Sequence, residues 1–591
     1  MASSSSALHS SITSCISPFP AAMEGEELAD TETCLSIQQT RYFGRSSITL
    51  CFDKRSEEIS IYANIFLNKK DRSSIKLKKF LTKDYLIVFL KLNPSLFSLH
   101  IDNRNGARSI EKIFNTLIQQ APLALRSFHL LTNQPSQLPA AFPDLLQACP
   151  TLIDLTIGSM FDVASAWTLT DASLKQMTRA LSTLTSLQKL SFENVKMSEK
   201  MFVSIFETLA ASGSQLTTLK LKSLTLHQKA CQGISSVMFA HPNLSTVTVT
   251  HTPLDREQIV SLFCGLFVAP SLSTLDLRGD QTRLDKVIGK ALSLLLSNTS
   301  SLTSLELPHI ETEAMIALKD GLKENSTLDS LRLTFTKTED PDSLEQRTRA
   351  IAEVIADNTT LTDLALAEFS AHHHWSMIAE ALIANPTTLG ALTIAQSEDR
   401  MGDEPAIELA RALSHNRSLY LLNLQGVSCE EEGFCSLARS LHQHITLSHL
   451  VFPPLIHTQR TISALSTLLE HNQAIKKLTV QSKKNNQREP LSLTPLAEAL
   501  NRNSTLKDLI LSIPSSEKDT IDFIQSIQAN TSLTNVQGFS YLRNYQAGPF
   551  ETFGFPDAIH DSLGTMLSNN RLRELTLFGI LYSDLSQATF E

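Results

Sequence analysis

Leucines recur along this chain in the pattern L-x-x-L-x-L. It reads "LQKLSF" from residue 187, "LTTLKL" from 216, "LSTVTV" from 244, "LSTLDL" from 272, "LTSLEL" from 302 and "LDSLRL" from 328. It continues with "LTDLAL" from 361, "LGALTI" from 389, "LYLLNL" from 419, "IKKLTV" from 475, "LKDLIL" from 506 and "LRELTL" from 572. Weaker copies begin at 96, 125, 152, 447 and 533, so about seventeen units span residues 96 to 577. The starts at 216, 244, 272 and 302 are 28, 28 and 30 residues apart. Within each copy the last two apolar residues alternate and point to one face, as in a short strand. About ten residues further on the apolar spacing changes to i, i+3, i+4, as in "IAEVIADN" (351–358), "AIELARALSHN" (406–416) and "LAEALNRN" (496–503), and predicts a helix. Alanines such as Ala352, Ala410 and Ala497 leave room for neighbouring helices.

One strand and one helix cannot bury their own apolar faces, so the units must stack. Strands stack at about 4.8 Å and helices at roughly 8–10 Å, so the stack bends with its strands inside. The expected fold class is α/β, a right-handed solenoid or horseshoe with parallel strands on the concave face and helices on the convex face. In these repeats the chain resembles the leucine-rich-repeat proteins, specifically the ribonuclease-inhibitor-like class, over about four-fifths of its length. That family usually carries Asn or Cys shortly after L-x-L, forming a ladder that satisfies the turn. Asn194 fills this position once; most other units offer Thr, Gly or Pro. The resemblance implies a non-catalytic protein–protein interaction scaffold.

Asn243, Asn298, Asn325, Asn358, Asn416, Asn503 and Asn530 form sequons just before a repeat's first Leu. Asn385 and Asn472 occupy the same place without forming one, so the shared requirement is Asn itself. The expectation is structural punctuation, with Asn in the left-handed conformation that ends a helix.

Residues 1–35 read as a disordered Ser-rich leader and 36–94 as a cap or small α/β region. The repeats run over 95–577, and 578–591 form a tail. No Lys or Arg precedes residue 41 and no continuous apolar run is present there, which is a poor secretory signal. The Ser/Ala-rich opening faintly resembles a plastid transit peptide and also the leaders of bacterial type III secretion substrates. A bacterial effector acting in host cytoplasm is therefore one reading. An endogenous regulatory or sensor protein is the other.

Charged residues make up 19% of the 591 and the net charge is −9, which argues against a nucleic-acid surface over the whole molecule. No apolar run is long enough for a membrane span. Eight scattered cysteines form no C-x-x-C, the default being reduced thiols in a cytoplasmic monomer, with Cys264 in the core. No nucleotide, zinc-protease or hydrolase motif occurs, and His372, His373 and His374 read as a loop entering a helix. No enzyme, cofactor or metal is expected. Another protein is the expected partner. It would meet either of two surfaces. One is the concave set Lys220, Lys222, Asp276, Arg278, Glu306 and Arg332, which gives way to Ala365, Thr393, Asn423, Val451, Thr479 and Ile510. The other is an aromatic insertion containing Tyr541, Tyr545, Phe550 and Phe553.

Overall fold

The computed structural model describes residues 33–37, 48–53, 58–64, 574–577 and 580–583 and most of 98–541. The longest undescribed stretches within the last range are 104–110, 160–166 and 482–490. His372, His373, Tyr545, Phe550 and Phe553 lie outside the described residues.

Leucine strands and amphipathic helices alternate along the chain, as in Thr218–Lys222, Gln228–Ala240, Thr246–Thr250 and Arg256–Leu266. Among the described residues the strands form one 21-stranded sheet. From Glu58–Asn64 to Glu574–Leu577 every neighbouring pair is parallel. Antiparallel strands continue it at both ends, Thr33–Ile37 and Ile48–Asp53 at one and Ile580–Ser583 at the other. Leu277, Leu307 and Leu333 are all buried, in one hydrophobic cluster that runs from Phe114 to Val536. The chain is an α/β solenoid.

Small residues set the distance between helices, as expected at Ala352, Ala410 and Ala497, all buried. The tightest approach joins Lys286–Asn298 to Thr312–Glu324. A Cβ on Gly289 would sit 2.5 Å from the Ala314 carbonyl oxygen, and one on Gly321 would overlap that of Ser293. Cys264 departs from expectation. It is exposed, because Ile259, Leu262, Phe263 and Leu266 form the inward stripe of its helix and it falls on the opposite side. Burial pushes the thiols of Cys149, Cys231 and Cys429 up to about 12, which keeps them protonated and unreactive.

The repeat asparagines are structural, but not by the expected route. Asn325, Asn358, Asn416, Asn472 and Asn503 have extended backbone, with φ between −85° and −69°. Each is almost fully buried and acts through its side chain. Asn472 shows the arrangement. Its Oδ1 accepts the N–H groups of Ala474 (2.8 Å) and Ile475 (2.9 Å), closing the turn into the next strand. Its Nδ2 donates to the carbonyls of Leu441 (2.7 Å) and His444 (3.0 Å), one repeat earlier. Asn358, Asn503 and Asn530 repeat the whole set. The asparagine ladder has thus moved from the strand exit to the helix end. Asn243 lies outside it, and buried His241 takes the rung's place, its ring nitrogens 2.9 and 3.0 Å from the carbonyls of Ser214 and Leu209.

Left-handed backbone occurs instead where strands end, at Asn194, Ser223, His251 and Glu368, with φ between 49° and 55°. Each residue's N–H donates to the next repeat, for example Ser223 to the Thr250 carbonyl at 2.8 Å.

Buried histidines make the fold sensitive to acid, and His457 is the more deeply enclosed of two whose pKa is held down to about 4, the other being His444. His457 is 1% exposed, with Nε2 3.3 Å from the Gln481 carbonyl and its ring edge-on to Phe434. Burial pushes its pKa down to about 4, partly opposed by the bond to Gln481. An unfolded histidine titrates near 6.5. Its folded value is lower, so the unfolded chain binds the proton first and stability falls as pH drops from about 6.5 towards 4. Chemical denaturation at pH 5 should give about 2 kcal/mol less stability from this residue than at pH 7, and His457→Gln should flatten that limb. An unchanged pH dependence in His457→Gln would refute the assignment.

Candidate interaction surface

A parallel sheet in constant register turns each repeat position into a row. The residue between the two inward leucines gives the central row of the concave face. Ser191, Lys220 and Thr248 pair in succession, followed by Asp276, Glu306 and Arg332. Ala365, Thr393, Asn423, Val451, Thr479, Ile510 and Gln537 complete it. Two strands lie between Lys220 and Glu306, those that carry Thr248 and Asp276.

Four of the sequence-chosen residues form one ion network. Arg278 Nη2 lies 2.8 Å from Asp276 Oδ2, and its Nε lies 2.6 Å from Glu306 Oε2. Arg332 Nε is 3.4 Å from the same Glu306 oxygen. Burial pushes the Glu306 carboxyl above the usual range, as does neighbouring Asp276, against the pull of Arg278 and Arg332. The hydrogen bond to Asp276 is the main reason that the Arg278 pKa is raised further. Two acids and two arginines balance in charge, so much of this group's electrostatics is spent internally. Lys220 and Lys222 are different. Both are exposed, and neither joins an ion pair among the described residues. With exposed Lys189 on the adjoining strand they form a small group of available positive charges.

Beyond Arg332 the central row becomes uncharged, with Ala365 buried, while Asp363, Lys477 and Asp508 carry charge in the row beside it. Tyr541 lies in a two-residue strand, Ser540–Tyr541, parallel to Pro514–Ser515. The structure does not bring it to the concave charges.

Two features escaped the sequence reading. The convex side carries Phe239, Val260, Phe267, Val287 and Leu294, all exposed, on three consecutive helices. The interior holds Arg347, which a helical count would have flagged, since it falls on the stripe of Leu344, Ile351, Val354 and Ile355. Among the described residues no group of three His, Cys, Asp or Glu could hold a metal ion, and no helix is long and apolar enough to cross a membrane.

No family model and no curated protein matches this chain. Solved structures do. A chain of the yeast Rad7–Elc1 complex is 16% identical, with a TM-score of 0.36 over 72% of this chain and 98% of that one. A chain of the TLR13–ssRNA13 complex is 15% identical, with a TM-score of 0.35 over 83% and 69%. The leucine-rich character of the solenoid rests on its own register and buried rungs.

Proposed function

We propose that this chain is a non-catalytic scaffold of the ribonuclease-inhibitor-like class, engaging another protein through its concave face. The supporting observation is that Lys220 and Lys222 are exposed and free of ion pairs among the described residues, two strands from a network whose arginines are paired with Asp276 and Glu306. A partner with an acidic projection fits this arrangement, the lysines supplying attraction and the Asp276–Arg332 network supplying shape. Residues 36–94 would cap the N-terminal edge, and the chain would act as a monomer in cytoplasm.

Lys220→Glu combined with Lys222→Glu should weaken capture of the partner at least about tenfold, with unfolding unchanged. Arg278 is the wrong residue to reverse, because its loss would strand Asp276 and Glu306 and damage the sheet. Affinity purification from the intact chain, followed by the same capture with the double variant, is the test. Unaltered capture would transfer the site to the aromatic insertion around Tyr541, Tyr545, Phe550 and Phe553.

Two biological settings suit a scaffold of this kind. The Ser-rich composition of residues 1–35 favours a secreted bacterial effector working in host cytoplasm, and failure of those residues to export a reporter would leave the endogenous regulator or sensor.

A further inference from the structure

The buried asparagine rungs are continuous from Asn325 to Asn385 and from Asn472 to Asn530, and they falter in between. Asn416 and His444 hold the two intervening rung positions. Each keeps its accepting half. Asn416 Oδ1 takes the N–H groups of Ser418 (3.0 Å) and Leu419 (2.9 Å), and His444 Nδ1 takes that of Leu447 (3.2 Å). An imidazole nitrogen that accepts carries no proton, so neutral His444 is protonated on Nε2. Elsewhere the donating half ends on carbonyls of the previous repeat. Here it does not: Asn416 Nδ2 and His444 Nε2 are buried without a protein hydrogen-bond partner, as is His442 Nε2. Arg417 Nη1 donates instead to the carbonyls of Ser414 and Asn416, both at 2.9 Å. His444 is 2% exposed, so its N–H is costly to leave unmet.

His442 and His444 border a cavity of about 300 Å³ whose other walls are Ser414, Arg417, Arg439, Ser440 and Gln443. No carboxylate is among these residues, although Arg439 Nη2 reaches Glu432 Oε1 beside them at 3.2 Å. The guanidiniums that act on the two rings are Arg439 on His442 and Arg417 on His444. The helix ends beside the cavity would ordinarily repel an anion through their carbonyls. Arg417 covers two of these carbonyls, and the Ser440 hydroxyl covers that of Leu437 at 2.8 Å.

We propose that this cavity is an oxyanion site, holding a phosphate-type group between the Arg417 and Arg439 guanidiniums with His444 Nε2–H as the buried donor. The chemistry is shared by free phosphate and by a phosphorylated side chain of a partner. A water molecule would meet the same buried donor without selecting for charge.

The test is calorimetric titration of the full chain with inorganic phosphate against potassium chloride of equal ionic strength, and with a phosphoserine peptide against its unphosphorylated form. Saturable phosphate binding is expected, weakened on the order of tenfold in Arg439→Gln, which removes one charged donor and its exposed ion pair with Glu432, 3.2 Å away. The ¹⁵N resonance of His444 Nε2 should move during the titration. A peptide that binds tighter than phosphate makes the source a phosphorylated partner, and equal affinities make it the free ion. Phosphate behaving like chloride would overturn the proposal. So would binding unchanged by Arg439→Gln with a stationary His444 signal, which means an adventitious ion only.

Discussion

Asn472→Ala should cost about 3–5 kcal/mol of unfolding free energy, far more than an ordinary polar substitution. The side chain makes four hydrogen bonds, two accepted from the turn and two donated to the preceding repeat. Alanine would leave the N–H groups of Ala474 and Ile475 and the carbonyls of Leu441 and His444 short of partners in a buried seam. Each such orphan costs about 1–3 kcal/mol, reduced where water can enter. Asn243→Ala is the contrast. Asn243 belongs to a sequon but is exposed, and its closest side-chain partner, Gln215, is 3.5 Å away, so its loss should stay within about 0.5 kcal/mol. Denaturant unfolding of the two variants decides the matter. Equal losses would mean that the ladder is decorative.

Arg347→Ala is expected to be of similar size, about 3–5 kcal/mol, for a different reason. This arginine is 1% exposed, and its guanidinium lies 5.0 Å from the Phe335 ring centre and 5.8 Å from that of Phe369. Nη1 donates to the Thr336 carbonyl at 3.0 Å and Nη2 to that of Ser370 at 3.2 Å. The guanidinium thereby ties together the turns that follow two successive strands, beside an aromatic column that ends on buried Trp375. Alanine would leave a cavity and two unmet carbonyls. Arg347→Met fills most of the volume and should recover about half of the loss. If thermal and denaturant unfolding put Arg347→Ala within 1 kcal/mol of the parent, the tie is unimportant.

Periodicity made the fold legible because it is a one-dimensional signal for a nearly one-dimensional object. Leu305 and Leu331 pair in the sheet as their matching places in the repeat require. What periodicity could not convey is what a polar residue does inside the stack. The spacing of the asparagines identified the rung, whereas the left-handed conformation expected there belongs to Ser223 and His251 at the strand exits. Only the distance to the preceding repeat distinguishes a capping residue from a bridging one. The sheet register sets the chosen charged residues on one face, yet sequence alone does not separate Arg278, consumed by Asp276 and Glu306, from Lys222, which joins no ion pair among the described residues. Cys264 shows the limit of a local reading, since "IVSLFCGLF" is apolar throughout and only the helical phase sends one residue outward.

Gly289 and Gly321 lie on the outer layer of the repeats whose inner strands carry Asp276 and Glu306. By drawing two helices together they shrink the difference in spacing between the layers, and with it the angle each repeat adds to the arc. Less bend per repeat is therefore expected behind Asp276 and Glu306 than where bulkier side chains hold neighbouring helices apart.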